Sequence, residues 1–381
     1  MEEKTTGIRQ KIPLRTMRSV ASSQKMIILA DMKIAIITIT RNGVRLGAKI
    51  KNNLTESSLY IPGRYAGAVE GATVYDGEVR DLVARLWPEV GGLVFIMATG
   101  IVVRLVAPHL RAKDVDPAVV VMDDAGNFSI SLLSGHLGGA NELAGRCAFL
   151  TGAREVITTA TDVNGLPSFD MLAMEEGWVI EKLALVKVLN SLLLDEERIA
   201  VVDPTGRVRS AFHGRGKLSF HGTFMEALDS GAKGFLFVTN RQLPPQVQSD
   251  KLLVLRQKNL VLGIGCNSGT SEEEIREVAG SAMKRLFLSI KSVRCVATAE
   301  AKRHEPGLVA FAKFLGVPLA CYESSELNGI SFPSPPSPHA LAAIGAAGVA
   351  EPAALLASDG GNLLLKKIKN GNVTLAIAEV T

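Results

Sequence analysis

The sequence predicts a multi-domain α/β fold, with mostly parallel sheets flanked by helices in the N-terminal and C-terminal domains. Three observations carry this prediction. From residue 33 onward, short β-branched runs alternate with helical-period segments through glycine-rich turns. The chain has 381 residues, and at about 150 residues per domain that length suggests two or three domains. Hydrophobic residues make up 47% and charged residues 21%, which supplies apolar material for sizeable cores and excludes a disordered chain.

The elements follow in order. Residues 34–39 form a β-branched strand bounded by Asn42-Gly43, and 44–54 continue with helical spacing. Val79–Leu86 reads as a helix stopped by Pro88, and 92–97 as a buried strand. Ala98-Thr99-Gly100 then leads into a helix over 101–107. Two strands, Ala118–Met122 and 128–132, flank the turn Asp124-Ala125-Gly126-Asn127. A helix over 138–150 places Leu143, Cys147 and Leu150 on one face, and a strand at 155–158 follows. A turn-rich stretch around 163–167 marks a boundary. Beyond it, helices are expected near 171–176 and 181–194, and strands at Ile199–Val202 and Gly234–Val238. The polar, proline-rich segment 241–250 reads as a linker. A last part opens with strand 260–264 and helix 271–286, then strand 293–297, helix 307–315 and strand 317–321. It closes with helix 350–356 and strands 363–366 and 373–378; the prolines of 331–338 make that segment an exposed loop. The expected domains are therefore 32–165, 166–255 and 259–381, preceded by a disordered tail, 1–31. Met32 reads as an alternative start.

Charge and composition remove several function classes. Residues 1–30 hold six basic residues (Lys4, Arg9, Lys11, Arg15, Arg18, Lys25) against Glu2 and Glu3, which accounts for the whole formal charge of +4. The body is neutral, whereas a nucleic-acid-binding protein spreads a basic stripe over its folded surface. A membrane span needs about 20 consecutive apolar residues, and the run 91–103 ends at Arg104. Cys147, Cys266, Cys295 and Cys321 stand far apart, without metal-ligand spacing. They read as reduced thiols in a cytoplasmic protein. The P-loop, the GxSxG elbow and the HExxH zinc motif do not occur.

Four segments have chemical content. In Ser134-Gly135-His136-Leu137-Gly138-Gly139-Ala140-Asn141 a strand enters a glycine-rich turn directly before a helix. Such a turn brings backbone close to a ligand and aims N–H groups at an anion. His136 is a group able to move a proton near neutral pH. The same pattern also fits an ordinary βα turn with a solvent-facing histidine. Thr158-Thr159-Ala160-Thr161-Asp162 follows a strand end and offers side-chain oxygens to a polar substrate, or caps the next turn. Arg104 sits in an apolar helix with Lys113 in the loop beyond it; a snorkelling surface role fits Arg104 as well. Gly263-Ile264-Gly265-Cys266-Asn267-Ser268-Gly269 has the form GxGxxxG at a strand–helix junction. Its third glycine is displaced from the dinucleotide fingerprint, and no clean acidic residue ends the next strand about 20 residues on, Glu300 being too far along.

The order of these motifs is more specific than any one of them. FIMATGIVVRLVAPHL (95–110), KDVDPAVVVMDDAGNFSISLLSGHLGGANELA (113–144) and EVITTATD (155–162) resemble the N-terminal region of the CbiG family, the cobalt-precorrin-5A hydrolases of anaerobic cobalamin biosynthesis. LVLGIGCNSGTSEEEI (260–275), ATAEAKRHEPGLVAFAKFLGVPL (297–319), GVAEPAALLA (348–357) and KIKNGNVTLAIA (367–378) resemble that family's C-terminal domain, which occurs alone as CobE. The middle, 166–255, matches by length and position. The resemblance implies opening of the ring-A acetate δ-lactone of cobalt-precorrin-5A and loss of C20 with its methyl as acetaldehyde, giving cobalt-precorrin-5B. It implies no cofactor, because cobalt is carried by the substrate. The partner is a cobalt-corrinoid intermediate, with no nucleic acid and no membrane; transient contact with pathway methyltransferases and a homodimer stay open.

On these motifs His136 becomes the expected proton-transfer residue and Asp162 a second acid/base group. Ser134, Gly135, Gly138, Gly139 and Asn141 form an expected donor cradle, joined by Thr159 and Thr161. Arg104 and Lys113 would engage carboxylates. Gly265, Lys302, Glu305 and Glu351 would line the other side of a cleft between domains. The C-terminal part departs from the family pattern: Asn267-Ser268 stand where basic residues are usual, and Glu300 and His304 where aspartates are common. That domain would then assist packing or dimerisation. Two other classes remain, a non-catalytic tetrapyrrole carrier or scaffold and an NAD(P)-dependent oxidoreductase.

Overall fold

The computed structural model describes residues 32–380 apart from 113, 114 and 248. The expected tail 1–31 and Lys113 therefore lie outside the described residues. Contacts divide the chain into two compact units, one ending at Thr159 and one beginning at Ala160.

The first unit is built on a seven-stranded sheet. Its strands are β1 (Ile34–Thr38), β2 (Ser57–Pro62), β3 (Thr73–Tyr75), β4 (Gly92–Ile96), β5 (Ala118–Met122), β6 (Phe128–Leu133) and β7 (Arg154–Val156), in spatial order β3-β2-β1-β4-β5-β6-β7. Neighbours run parallel except β5 and β6. Strands β1, β4 and β5 are buried along their whole length. That is why they read as continuous apolar runs, since helices cover both faces. The helices are α1 (Arg41–Lys51), α2 (Val79–Leu86), α3 (Thr99–Val106) and α4 (Ala140–Thr151). The Thr40 hydroxyl caps α1 by accepting from Gly43 N–H. Strands β2 and β3 are absent from the sequence reading. One starts with two serines and ends at a proline; the other is a three-residue edge strand with only Tyr75 buried.

The direction of β6 positions the first candidate site. Because β6 opposes β5, pairing Leu133 with Val119, the turn after β6 sits at the edge where β4 and β5 begin. Strand β7 pairs parallel to β6 and ends at that same edge.

The second unit carries two five-stranded sheets. The first contains β8 (Val179–Ile180), β9 (Ile199–Val202), β10 (Leu218–Phe220), β11 (Gly234–Val238) and β12 (Leu252–Arg256), ordered β10-β9-β11-β12-β8 with only β8 antiparallel. Helices α5 (Ala160–Val163), α6 (Phe169–Glu175), α7 (Leu183–Leu194), α8 (Arg207–Phe212) and α9 (Phe224–Asp229) surround it. Phe169 and Phe212, both fully buried, stack 5.1 Å apart in its core.

The second sheet contains β13 (Leu260–Cys266), β14 (Val293–Ala299), β15 (Leu319–Tyr322), β16 (Asn362–Asn370) and β17 (Val373–Glu379), ordered β15-β14-β13-β17-β16. β13, β14 and β15 run parallel, while β16 and β17 form an antiparallel hairpin on the far side of β13. Its helices are α10 (Glu272–Arg285), α11 (Pro306–Leu315), α12 (Ser324–Gly329), α13 (Pro338–Ile344) and α14 (Ala350–Ala357). The end of the proline-rich segment, expected as loop, starts α13: Pro338 takes the first helical position and Ser337 caps it.

The segment expected as a linker is tied down rather than free. Arg241 bridges to Leu288. Just before it, Asn240 donates to Asn259 Oδ1 at 3.0 Å and to Glu379 Oε1 at 2.6 Å. Among the described residues no helix is long and apolar enough to cross a membrane.

Candidate functional site

In the first unit the chain leaves β6 through a strained turn. Ser134 has φ +57°, a left-handed value uncommon for a side-chain-bearing residue, and Gly139 has φ +83° as the residue before α4. The expected helix over 138–150 therefore begins two residues later. A Cβ at Gly138 would run into the Ser134 side chain and lie 2.7 Å from its carbonyl oxygen, so only glycine lets the turn close this tightly.

The turn uses its own donors. Ala140 N–H bonds Ser134 O at 3.1 Å, Asn141 N–H bonds Gly135 O at 3.0 Å, and Gly139 N–H bonds His136 O at 2.8 Å. This corrects the expected donor cradle: Gly135, Gly138 and Gly139 shape the turn, and two helix-start N–H groups are spent inside it. The Ser134 hydroxyl donates to Asp116 O at 2.9 Å, again holding the turn.

The polar groups left to this region are side chains. His136 is half-buried on this turn. The Asn141 amide accepts from Ser131 Oγ at 2.7 Å and donates to Thr159 Oγ1 at 3.0 Å. Asn141 thus joins the two motifs that look separate in sequence. Arg104 is exposed on α3 and donates to Gly100 O at 2.7 Å, within its own helix. Thr161 and Asp162 lie on α5 of the second unit, Thr161 buried and Asp162 exposed.

The second unit holds a cavity of about 510 Å³ beyond the C-terminal end of β13. Gly265 and Lys302 line it, and so do Cys266, Asn267, Ser268, His339, Lys367 and Lys369. Glu305 stands behind Lys302. Its carboxylate accepts from Gly269 N–H at 2.6 Å and pairs with the Lys302 ammonium at 3.1 Å. The Gly269 N–H, followed by Lys302, holds the Glu305 carboxyl below the usual carboxylate range. Glu351, 1% exposed, accepts from Ser334 N–H at 3.2 Å, Ser334 Oγ at 2.9 Å and Lys367 N–H at 2.9 Å. It fastens the proline-rich segment to β16 and does not line the cavity, which corrects its expected place there.

The sequence reading missed Lys367, Lys369 and His339. The available signal was a pair of lysines two apart, Lys367 and Lys369, in a strand-like run: such residues share a face. The cations missing from the Asn267-Ser268 turn are thus supplied by β16. Cys266 faces the cavity, but burial pushes its thiol up to about 11 despite the nearby Lys302 charge, so it is un-ionised at neutral pH.

One acid-sensitive property follows from Glu305. A depressed folded value means that its stabilisation is complete above the unfolded value, about 4.3, and is lost as pH falls through the lower folded one. The stability difference between wild type and Glu305→Gln, followed by urea unfolding, should be constant above about pH 5 and shrink on acidification. An unchanged difference down to the acid unfolding limit would show that this carboxylate has no depressed value.

The GxGxxxG turn is occupied by packing. A Cβ at Gly263 would run into Ala350 O of α14. The helix that follows the turn, α10, carries Glu272, Glu273 and Glu274 in its first turn, with Ser271 Oγ accepting from Glu274 N–H. Three carboxylates at a helix start repel a pyrophosphate.

Family models for the cobalamin synthesis G N-terminal region, the cobalamin biosynthesis central region and the cobalamin synthesis G C-terminus match residues 81–162, 167–256 and 260–378. The chain is 36% identical to the cobalt-precorrin-5A hydrolase of Priestia megaterium over 353 residues, covering 90% of this chain and 94% of that protein. It is 30% identical to the cobalt-precorrin-5A hydrolase of Salmonella typhimurium, covering 81% of this chain and 87% of the relative. The protein CobE of a Sinorhizobium species is 36% identical over 121 residues, which cover 31% of this chain and 79% of CobE. With all three regions matched in order and a relative aligned over nine-tenths of its length, the chain belongs to the CbiG family of cobalamin synthesis proteins.

Proposed function

We propose that this protein is a cobalt-precorrin-5A hydrolase that opens the ring-A δ-lactone and releases C20 with its methyl as acetaldehyde. The observation that carries this reading is the similarity to two proteins of that name over most of their length. Two features agree with it: His136 is half-buried on a strained glycine turn, and Asn141, at the start of the helix that follows, links Ser131 to Thr159 by hydrogen bonds.

Water adds to the lactone carbonyl, the ring C–O bond breaks, and the carbonyl becomes a carboxylate. The freed C20 hydroxyl then loses its proton as the bond from C20 to the macrocycle breaks. Acetaldehyde leaves, and the macrocycle keeps the electron pair and takes up a proton. His136 suits the proton transfers, since imidazole changes charge near neutral pH. The Asn141 amide and the Thr159 hydroxyl suit polar contact with the acetate arm. The cobalt is part of the substrate.

Incubating the protein with cobalt-precorrin-5A and measuring acetaldehyde together with the mass of the macrocycle tests the reading. Stoichiometric acetaldehyde with the mass of cobalt-precorrin-5B supports it. Tight binding without acetaldehyde would replace it by a tetrapyrrole carrier.

A further inference from the structure

We propose that the cavity beyond β13 is a carboxylate-recognition site, in which Lys367 and Lys369 grip one edge of the macrocycle. The ligand's identity rests on the function proposed above; the site itself rests on the following geometry. The cavity measures about 510 Å³, within the usual range for small-molecule sites but too small to enclose a whole tetrapyrrole with its arms. It therefore takes an edge of the ring and leaves the rest outside.

Its lining divides in two. Ala340, Ala343, Ile344 and Val349 form an apolar wall, and Lys302, Lys367 and Lys369 bring three ammonium groups with no carboxylate in the lining. An apolar wall beside clustered cations fits an apolar ring bearing carboxylate arms, and fits a neutral or cationic ligand poorly.

The three lysines are not equivalent. Lys302 is already paired with Glu305. Neither Lys367 nor Lys369 has a carboxylate partner among the described residues. Their strand is also held in place. Buried Glu351 accepts the Lys367 backbone N–H, and Thr374 on the neighbouring β17 pairs with Lys369. The two charges are thus carried on fixed backbone. Lys366, the preceding residue of the same strand, is exposed and does not line the cavity, which makes it the matched control.

The test uses cobalt-precorrin-5A and the stable octacarboxylate cobalt uroporphyrin, with binding followed by absorbance. The double variant Lys367→Met/Lys369→Met should bind both macrocycles at least about tenfold more weakly, the loss expected for one charge-assisted contact. Lys366→Met should bind like wild type. In wild type, bound macrocycle should protect Lys367 and Lys369, but not Lys366, from acetylation read by mass spectrometry; this readout needs no variant to fold. Equal affinity in wild type and the double variant, or equal acetylation with and without macrocycle, would overturn the site even if acetaldehyde is released normally. If lysine-dependent binding is found without acetaldehyde, the site stands and the hydrolase reading falls.

Discussion

Replacing His136 with alanine should lower acetaldehyde release from cobalt-precorrin-5A by roughly 10²-fold or more, the usual contribution of a positioned acid–base group. The unfolding midpoint of the variant, measured in parallel, separates a chemical loss from a structural one. The turn that carries His136 is held by backbone. His136 O accepts from Gly139 N–H, and Ser134 O and Gly135 O accept from the first two residues of α4. None of those bonds needs the imidazole. A loss of turnover at constant stability would therefore report chemistry. Full activity in the variant would end the catalytic assignment and leave His136 as a surface histidine on a strained turn.

The largest effect on stability is expected at Gly263. It sits in β13, the central strand of the last sheet, and α14 packs directly over it. A methyl group there would meet the Ala350 carbonyl and lie 2.8 Å from both the nitrogen and Cβ of Ala354. The helix must move off the strand, and overpacking of this kind costs about 3 kcal/mol or more. Gly263→Ala should shift the urea midpoint of the second unit accordingly. It should also weaken macrocycle binding, because α14 carries Ala350 into the cavity wall and Glu351 under β16. Gly280 is the control. It lies inside α10 with open space where a Cβ would go, so Gly280→Ala should be neutral or stabilising by up to about 1 kcal/mol. Equal behaviour of the two variants would contradict the close approach of α14 to β13.

The parts of the fold legible in sequence were those whose physics is local. Strands β1, β4 and β5 are buried on both faces, so their apolar runs announce them. Strand β3 pairs on one side with only Tyr75 inside, and three residues leave no period to detect. Within the site, the glycine turn and His136 were visible as a motif. The meeting of Asn141 with Thr159 was not: the turn between β5 and β6 is local and readable, whereas the parallel pairing of β7 with β6, which brings Thr159 alongside, is a choice made by the sheet. The role of Glu351 was misread for a related reason. A glutamate in an alanine-rich helix looks available, while its three donors come from residues 17 and 16 positions away. Lys367 and Lys369 were passed over because a lysine on a strand is ordinarily a solvated one.

Strand β16 is the outermost strand of its sheet, nine residues long, and apart from the Lys367 N–H taken by Glu351 its outer side pairs with no strand among the described residues. An edge of this length, covered at one point only, is a template for another chain to add itself, the first step of aggregation. Lys366, Lys367 and Lys369 crowd that edge with like charge, so two copies brought edge to edge repel one another. The same ammonium groups that we assign to a ligand therefore also keep the sheet finite. Neutralising them for the sake of a binding experiment removes both functions at once, and the concentration at which the variants begin to scatter light should fall with each lysine removed.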